Sequence, residues 1–427
     1  MIRLDARDSA FPAAFAALVD ARREADEDVS ATVREIVARV KREGDTALAD
    51  YTRRFDRHDL DATGWCVDAA ECRAALDALP ADLRAALELA AERIRTYHAA
   101  QRPADSETVD ATGTRLGARW RAVDAAGLYV PGGRAAYPSS VLMNALPAKV
   151  AGVERLVMVT PTPDGEINPL VLAAAALAGV DEVWRIGGAQ AVAALAYGTD
   201  RIRPVDVIVG PGNAWVAEAK RQLYGVVGID MVAGPSEILV VADKGNDPEW
   251  IAADLLSQAE HDPTSQSILF TDDAGFADAV AAAVERQLGE LATGATARTS
   301  WNANGAIVLV ADLADTPPLI DRLAPEHLEP AVADPDMLFA RVRHAGSVFL
   351  GRHTPEAVGD YVAGPNHVLP TGRRARLSSG LSVLDFMKRT SFLACSPQAI
   401  RAIGPAAVAL AKAEGLPAHA RSVAVRL

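Results

Sequence analysis

The sequence predicts an α/β protein with two doubly wound parallel-sheet domains, a helical N-terminal region and an extended C-terminal arm. From Gly127 onward, short runs of Val, Ile and Leu recur roughly every 25–30 residues, and most of them end in Gly or Pro. Ala-rich segments of helical character lie between the runs, which is the βαβ pattern of a parallel sheet. In chain order the runs are AGLYVPGG, RLVMVTP, DEVWRIGG, DVIVGPGN, EILVVAD, SILFTD, AIVLVAD and GSVFLG.

The segments on either side of this alternation are helical. SATVREIVARVKREGDTALADYTRRFD and PADLRAALELAAERIRTYHAAQRP, both before Gly127, are amphipathic and carry no evident chemistry. The tail loses the alternation from about Leu381 and looks like an arm rather than a domain. We therefore predict an N-terminal arm (1–25), a discontinuous first Rossmann-like domain (26–126 with 237–380), a second one (127–236) and a C-terminal arm (381–427).

Charge and cysteine content narrow the possible partners. A net charge of −13 over 427 residues disfavours nucleic acid or an anionic membrane as a partner. The three cysteines lack metal-binding spacing and cannot all be paired, which favours a reducing, cytoplasmic location. No apolar run approaches the ~18 residues of a membrane helix. The sequence predicts a soluble protein of the cytosol.

Three strand–glycine–helix turns are candidates for a ligand site. They are Tyr129–Gly133, Gly187–Gln190 and Gly210–Asn213. Glycine after a parallel strand lets a ligand approach the backbone, although such turns also serve simply as tight corners. None of the three is the GxGxxG fingerprint of a standard dinucleotide site. Tyr129, Gln190 and Asn213 nevertheless fall where an open α/β sheet binds ligands.

The stretch DLLSQAEHDP predicts the end of a helix that presents two polar side chains to one point. Ile251, Leu255 and Ala259 form an apolar stripe at helical spacing. Gln258 and His261 are three residues apart, so they share a neighbouring face near the C-terminal end. An amide oxygen and an imidazole thus converge, a pairing that a purely structural helix does not require.

The remaining titratable clusters each have a structural alternative. Glu326 and His327, in APEHLEP, could divide proton transfers between water and substrate, but a helix-terminal histidine beside a solvated glutamate is the commoner arrangement. Asp360, just before a Gly-Pro break, could equally be a cap. Glu414 and His419, in the tail, fit a surface as well as a site. A role for His367, close to Asp360 in sequence, stays open. No HExxH, CxxC or GxSxG motif occurs.

Long ordered motifs in this chain resemble the histidinol dehydrogenase family. The resemblance runs from about Ser30 to the C-terminus, and one small departure is Asn246, where a small apolar residue would be expected. The motifs that carry it are YVPGGRAAYPSSVLMNALPAKVAGV, GGAQAVAALAYGT, GPGN, IDMVAGPSEILVVAD, IAADLLSQAEH, APEHLE, AGSVFLG, VGDYVAGPNHVLPT and EGLPAHARSV.

The resemblance implies one Zn²⁺ per subunit. Its ligands would be Gln258, His261, Asp360 and His419. Two imidazoles, a carboxylate and an amide oxygen form a mixed nitrogen and oxygen set that suits a borderline cation. Four protein ligands would close a tetrahedral site, so substrate binding requires a larger coordination number. The metal would mainly orient the substrate.

The resemblance also implies a substrate site and a cofactor site. Ser236 and Glu414 match substrate contacts, with Glu414 suited to an ammonium group; the zinc ligands Gln258, His261, Asp360 and His419 and the base His327 join them. Tyr129, Gln190 and Asn213 match contacts to NAD⁺, in agreement with the reading of the glycine turns.

The reaction implied is the oxidation of L-histidinol to L-histidine with two NAD⁺, by way of the aldehyde and its hydrate. His327 would be the general base of both hydride steps and Glu326 would activate the water. No cysteine lies in a comparable motif, so a thiohemiacetal route finds no support.

The family also implies a two-fold homodimer in which each tail reaches the partner's site. Two alternatives stay open. One is a relative with the same zinc and NAD machinery that acts on another small alcohol, such as a sulfonated diol; such an enzyme would need a cationic residue where Glu414 stands. The other is a non-catalytic metabolite-binding α/β protein, which would not need the four candidate zinc ligands together.

Overall fold

The computed structural model describes residues 1–21, 29–132, 137–232 and 234–427. Gly133 and the predicted boundary between residues 25 and 26 lie outside the described residues. The molecule is a mixed α/β fold with parallel sheets and many helices, so the predicted fold class is confirmed. No helix within the described ranges is long and apolar enough to cross a membrane.

The strands are mostly short, and the central strands of the parallel sheets, such as β10 and β11, are buried on both faces, as the continuous Val/Ile/Leu runs predict. In chain order they are β1 (Ile2–Asp5), β2 (Cys66–Val67), β3 (Ser106–Val109), β4 (Arg115–Ala122), β5 (Ala125–Tyr129), β6 (Arg155–Val159), β7 (Glu182–Trp184), β8 (Val207–Val209), β9 (Gly228–Ile229), β10 (Glu237–Ala242), β11 (Gln266–Thr271), β12 (Ala306–Leu309), β13 (His327–Ala331), β14 (Ser347–Val348) and β15 (Met387–Ala394).

Capping residues mark the ends of some of the helices. In one of them, for example, the Asn168 side chain accepts the Leu170 N–H at the start, and Gly179 ends it in a left-handed conformation. The α-helices are α1 (Phe11–Asp20), α2 (Ser30–Glu43), α3 (Asp45–Phe55), α4 (Leu60–Thr63), α5 (Ala69–Asp77), α6 (Ala81–Ala99), α7 (Pro138–Ala151), α8 (Pro169–Ala178), α9 (Gly188–Tyr197), α10 (Ala214–Leu223), α11 (Pro248–Ala259), α12 (Ala274–Gln287), α13 (Gly294–Asn304), α14 (Pro317–Leu323), α15 (Pro335–Phe339), α16 (Glu356–Tyr361), α17 (Pro397–Ala413) and α18 (Pro417–Ala424). Short 3₁₀ turns lie at Pro163–Gly165, Leu313–Asp315, Arg374–Arg376 and Val383–Phe386.

The first sheet has six parallel strands in the order β1-β12-β11-β10-β13-β14. Separate apolar cores cover its two faces, one built with α11, α12 and α13 and the other with α1 and α14. The chain adds strands on one side of β10 and then returns to add β13 on the other side. The sheet is therefore doubly wound, with β10 and β13 adjacent at its switch point.

The second sheet has the order β2-β7-β6-β5-β8-β9 and is parallel except for its edge strand β2. It also separates two cores. Its switch point lies between β5 and β8, because α7 leads from β5 to β6 on one side while β8 is added on the other. Open α/β sheets bind ligands at the carboxyl ends of strands at such a point.

The N-terminal residues pack differently from the predicted grouping. Helices α2 and α3 pack against α9 and α10 on one face of the second sheet, and α5 and α6 pack against α7 and α8 on the other. Residues 30–99 thus cover the second sheet, whereas the sequence grouped 26–126 with the first. The predicted arm 1–25 begins with β1, which pairs with β12 in the first sheet. An amphipathic pattern shows that a helix has a buried face but not which sheet that face covers.

The C-terminal residues form a strand and a helical hairpin. β15 joins β4 and β3 in a small antiparallel sheet. Leu381, Val383 and Phe386 anchor the start of the tail in the core beneath the second sheet. Beyond them α17 and α18 pack chiefly on each other, and most of their residues are exposed on the single chain. The arm predicted from about Leu381 stays a prediction, and within one chain this hairpin has few contacts with the two large sheets.

Candidate active site

Glu326 and His327 lie at the amino end of β13, where the neighbouring strand β10 holds both. The backbone N–H of Glu237 donates to Oε2 of Glu326 at 2.8 Å. The carbonyl oxygen of the same residue accepts from Nδ1 of His327 at 2.9 Å. Both side chains are buried, so the alternative of a helix-terminal histidine beside a solvated glutamate is wrong. One residue of β10 thereby orients an acid and an imidazole together.

The hydrogen bond to Glu237 fixes the tautomer of His327. A carbonyl oxygen only accepts, so Nδ1 of the neutral ring carries the proton and Nε2 keeps its lone pair. Nε2 is buried and has no hydrogen-bond partner among the described residues. Burial lowers the pKa of His327 to about 3, against the opposing effect of the bond to Glu237. The ring is therefore held neutral with its basic nitrogen available.

Two carboxylates face this imidazole. Oε1 of Glu356 is 3.5 Å from Nδ1 of His327, and Oδ1 of Asp360 is 4.0 Å from Nε2. Among the residues that the structure describes, these three offer ligand atoms that all lie within 4.8 Å of one another. Burial raises the pKa of Asp360 to about 7, and burial together with neighbouring acids, Asp360 first, raises that of Glu356. Such a set of acids favours a cation between them.

Gln258 and His261 converge as their spacing predicts. Helix α11 ends at Ala259, and Nε2 of Gln258 lies 3.1 Å from Nδ1 of His261 in the turn that follows. Oε1 of Gln258 is buried and has no partner among the described residues. A buried amide oxygen that has no hydrogen-bond partner in the described part of the chain, beside an imidazole, suits a cation as a pair of ligands. A charged His261 would also lower the pKa of His327, after the larger effect of burial.

His367, for which the sequence left a role open, lies in the same cluster. Its Nδ1 donates to the carbonyl oxygen of Asp360 at 3.2 Å, and its Nε2 is 3.4 Å from Oγ of Ser140. Burial lowers its pKa to about 4. Ser236 is partly buried and directly precedes Glu237, the residue whose backbone binds Glu326 and His327.

A second cavity opens at the switch point of the other sheet. Its volume is about 450 Å³, and Tyr129, Gln190 and Asn213 line it together with Gly188 and Trp215. The Gly188 N–H donates to the Tyr129 hydroxyl at 3.0 Å. Oδ1 of Asn213 accepts the N–H of Val216 at the start of α10. The three predicted turns thus meet around one pocket of the size that ligand sites have.

Glu414 and His419 are not brought to these residues within one chain. Both are exposed on the tail hairpin. His419 is not part of the group of ligand atoms around His327 that the described residues form. The predicted set is therefore divided: Gln258, His261 and Asp360 lie with His327, and the two tail residues lie apart.

Sequence reasoning missed three residues that contact the cluster around His327 and His367. Glu356 lies four residues before Asp360 on α16 and so shares its helical face, a spacing that could have revealed it. Glu237 acts through its backbone and Ser140 through a long-range contact, and neither leaves a sequence signal. Glu326 and His327 also lie at the amino end of β13, opposite the edge where ligand sites of such sheets are expected.

A cofactor-sized pocket on one parallel sheet and a buried acid–base pair beside a cation-suited cluster on another define an α/β dehydrogenase. The comparisons with known proteins agree with this class. A family model described as histidinol dehydrogenase matches residues 19–427. The histidinol dehydrogenase of Zymomonas mobilis is 67% identical, over 100% of this chain and 99% of that protein.

Two further relatives give the same result. The histidinol dehydrogenase of Rhodospirillum rubrum is 64% identical, over 100% of this chain and 98% of that protein. A crystal structure of histidinol dehydrogenase from Elizabethkingia anophelis superposes with a TM-score of 0.95 at 36% identity, covering 100% of this chain and 98% of that one. The chain belongs to the histidinol dehydrogenase family. The predicted family and the predicted class of enzyme are confirmed.

Proposed function

We propose that this chain oxidises L-histidinol to L-histidine in two NAD⁺-linked hydride transfers, with histidinal held between them, at the end of histidine biosynthesis. The observation that carries the proposal is the fixed tautomer of His327. Its Nε2, which has no hydrogen-bond partner among the described residues, lies 4.0 Å from Asp360 of the cation-suited cluster, and its Nδ1 lies 3.7 Å from Glu326. NAD⁺, when bound, accepts one hydride in each oxidation. The pocket around Tyr129, Gln190 and Asn213 would hold it.

The protons of the reaction are assigned to two side chains. Nε2 of His327 accepts the hydroxyl proton of the alcohol, and later that of the aldehyde hydrate, as each hydride leaves. The Glu326 carboxylate accepts a proton from the water that adds to the aldehyde. Both groups are held to Glu237, so neither has to reorganise between the two oxidations.

We assign the cation as Zn²⁺, one per subunit. Gln258, His261 and Asp360 supply an amide oxygen, an imidazole and a carboxylate, a set that suits this borderline ion. Zinc, when bound, would orient the substrate's imidazole and amino nitrogens. Ser236, beside Glu237, would border the bound substrate. His419 would complete the ligand set, and Glu414 would pair with the substrate's ammonium group.

Since the tail of one chain leaves Glu414 and His419 apart from the cluster, we infer a homodimer in which each tail completes the partner's site. The tail hairpin buries little against its own chain and exposes large apolar side chains, among them Leu410 and Val425, 65% and 67% exposed. Exposed apolar surface of this kind is typical of a subunit interface. The enzyme would act in the cytoplasm.

The proposal is tested by following NADH with purified protein and L-histidinol. Two NADH should form for each histidinol consumed, and a chelator should abolish the activity until Zn²⁺ is restored. A sulfonated diol, tested in parallel, should give no turnover, because acidic Glu414 would repel its anionic group. Turnover of the diol but not of histidinol would reject histidinol as the substrate. If the protein oxidises neither compound, the dehydrogenase role is rejected.

A further inference from the structure

A buried ion pair stands behind the proposed cofactor pocket. Lys220, on α10, and Asp230, just after β9, are hydrogen-bonded through Nζ and Oδ1. Their side chains are only 3% and 1% exposed. Neither residue lines the pocket. The proposed reaction thus gives no role to this buried ion pair.

Both members of the pair bind the backbone of Gly210. Nζ of Lys220 donates to the Gly210 carbonyl oxygen at 3.0 Å. The Gly210 N–H donates to Oδ2 of Asp230 at 2.8 Å. Oδ1 of Asp230 also accepts the N–H of Met231 at 2.6 Å. The N–H and the carbonyl oxygen of Gly210 are therefore both held by hydrogen bonds to this ion pair.

Gly210 is the point where two of the cofactor turns touch. Its φ is +110°, and a Cβ there would lie 2.2 Å from the carbonyl oxygen of Tyr129. The hydroxyl of Tyr129 in turn accepts the N–H of Gly188. Asn213 follows three residues after Gly210 and begins α10, the helix that carries Lys220. Any shift of Gly210 would therefore move the pocket wall.

Stability alone is a weak reason for such a pair. Removing two charges from water costs several kcal/mol each, and buried ion pairs are often replaceable by apolar residues without loss of stability. Lys220 and Asp230 also could not bind a cofactor directly, because they are enclosed behind the turn. Lys220 and Asp230 do form directional hydrogen bonds with Gly210, and apolar side chains could not reproduce these bonds.

We propose that Lys220 and Asp230 are positioning residues for the dinucleotide: they clamp Gly210 and thereby set Asn213 and the wall of the pocket. The inference rests on the proposed assignment of this pocket to NAD⁺. Affinity for NAD⁺ then depends on two residues that never touch it. Binding of metal and of histidinol, at the other sheet, does not depend on them.

The test is calorimetric titration of NAD⁺ into full-length protein carrying Lys220→Met, Asp230→Asn, or the charge-free pair Lys220→Met with Asp230→Leu. We expect NAD⁺ to bind about tenfold more weakly in all three, which is ~1.4 kcal/mol. The double variant leaves no unpaired buried charge, so its melting temperature should fall less than that of either single variant, although the Gly210 peptide groups lose their partners. Zinc content and KM for histidinol should not change.

Lys149→Met is the matched control. It breaks a lysine–aspartate pair of the same domain, with Asp181 at 3.0 Å, that touches none of the three turns. Its NAD⁺ affinity should be unaltered. If the double variant binds NAD⁺ as the control does, or fails to fold while the control folds, the positioning role is rejected.

Asn213→Ala distinguishes this failure from a failure of the pocket assignment. Weaker NAD⁺ binding in Asn213→Ala but not in the Lys220 and Asp230 variants overturns the clamp alone. Unchanged NAD⁺ binding in every variant, Asn213→Ala included, overturns the assignment of the pocket and the clamp with it.

Discussion

Nδ1 of His327 donates to the carbonyl oxygen of Glu237 across 2.9 Å, and this bond decides which ring nitrogen carries the proton. Because β10 and β13 are adjacent, with Ile238 opposite His327 in the parallel register, the carbonyl oxygen is supplied by the sheet itself. A base held in this way needs no carboxylate partner to set its tautomer. The protonation of the two ring nitrogens therefore follows from the backbone geometry of the two strands.

The first prediction concerns His327→Asn. Since the same Nε2 accepts a proton in both oxidations, kcat should fall by ~10²- to 10⁴-fold with histidinol and with histidinal alike. NAD⁺ affinity, governed by the other sheet, should stay unchanged. Steady-state rates on both substrates, with NAD⁺ titration as the control, check this. Loss of activity on one substrate only would contradict the shared role.

Glu326→Gln should separate the two oxidations. The amide keeps the shape that the Glu237 N–H binds but cannot accept a proton from water. Oxidation of histidinal, which needs the hydrate, should suffer much more than release of the first NADH from histidinol. Single-turnover measurements of the first and second NADH resolve the steps. Equal losses in both would refute the division of labour.

Acid should destabilise the metal-free protein through its buried histidines. In the folded state burial holds the pKa of His327 at about 3 and that of His367 at about 4, whereas both ionise near 6.5 when unfolded. Between these limits the unfolded chain binds more protons, so the free energy of unfolding falls as the pH falls from 6.5 towards 4. Asp360 and Glu356, whose pKa values are raised, act in the opposite sense.

Comparing variants isolates the histidine contribution, because the acids remain in all of them. In chelated protein, His327→Asn should lose stability less steeply below pH 6.5 than the unmodified chain, as measured by denaturant unfolding. His353→Asn, which removes an exposed histidine, is the control and should keep the original slope. A slope unaltered by His327→Asn would contradict the assigned burial effect.

The orphaned oxygen of Gln258 predicts a metal phenotype. Gln258→Ala removes the buried amide oxygen that has no partner among the described residues, so zinc content should fall below one per subunit and activity should recover at raised Zn²⁺. Gln266→Ala, a change at another buried glutamine of the same domain, should keep full zinc content. Metal analysis after gel filtration measures both. Full zinc content in Gln258→Ala would remove this residue from the ligand set.

The sequence predicted the parts of this molecule whose signals are local. Periodic apolar runs revealed both parallel sheets, and the three-residue spacing of Gln258 and His261 revealed their convergence. The sequence did not show which sheet the helices of 30–99 would cover, because an amphipathic pattern identifies the buried face of a helix but not the surface against which that face packs. The role of Glu237 was equally hidden, because its backbone acts and any residue except proline would supply the same peptide groups.

The central claim is that two chains build each active site, Glu326 and His327 coming from one and His419 from the tail of the other. Glu326→Ala and His419→Ala, each inactive alone, should be unfolded, mixed in equal amounts and refolded together. Random pairing makes half of the dimers mixed, and a mixed dimer with crossed tails has one doubly damaged and one intact site. Recovery of roughly a quarter of the unmodified activity is the predicted result. No recovery, with mixed dimers shown to form, would mean that each tail serves its own chain and would contradict the account.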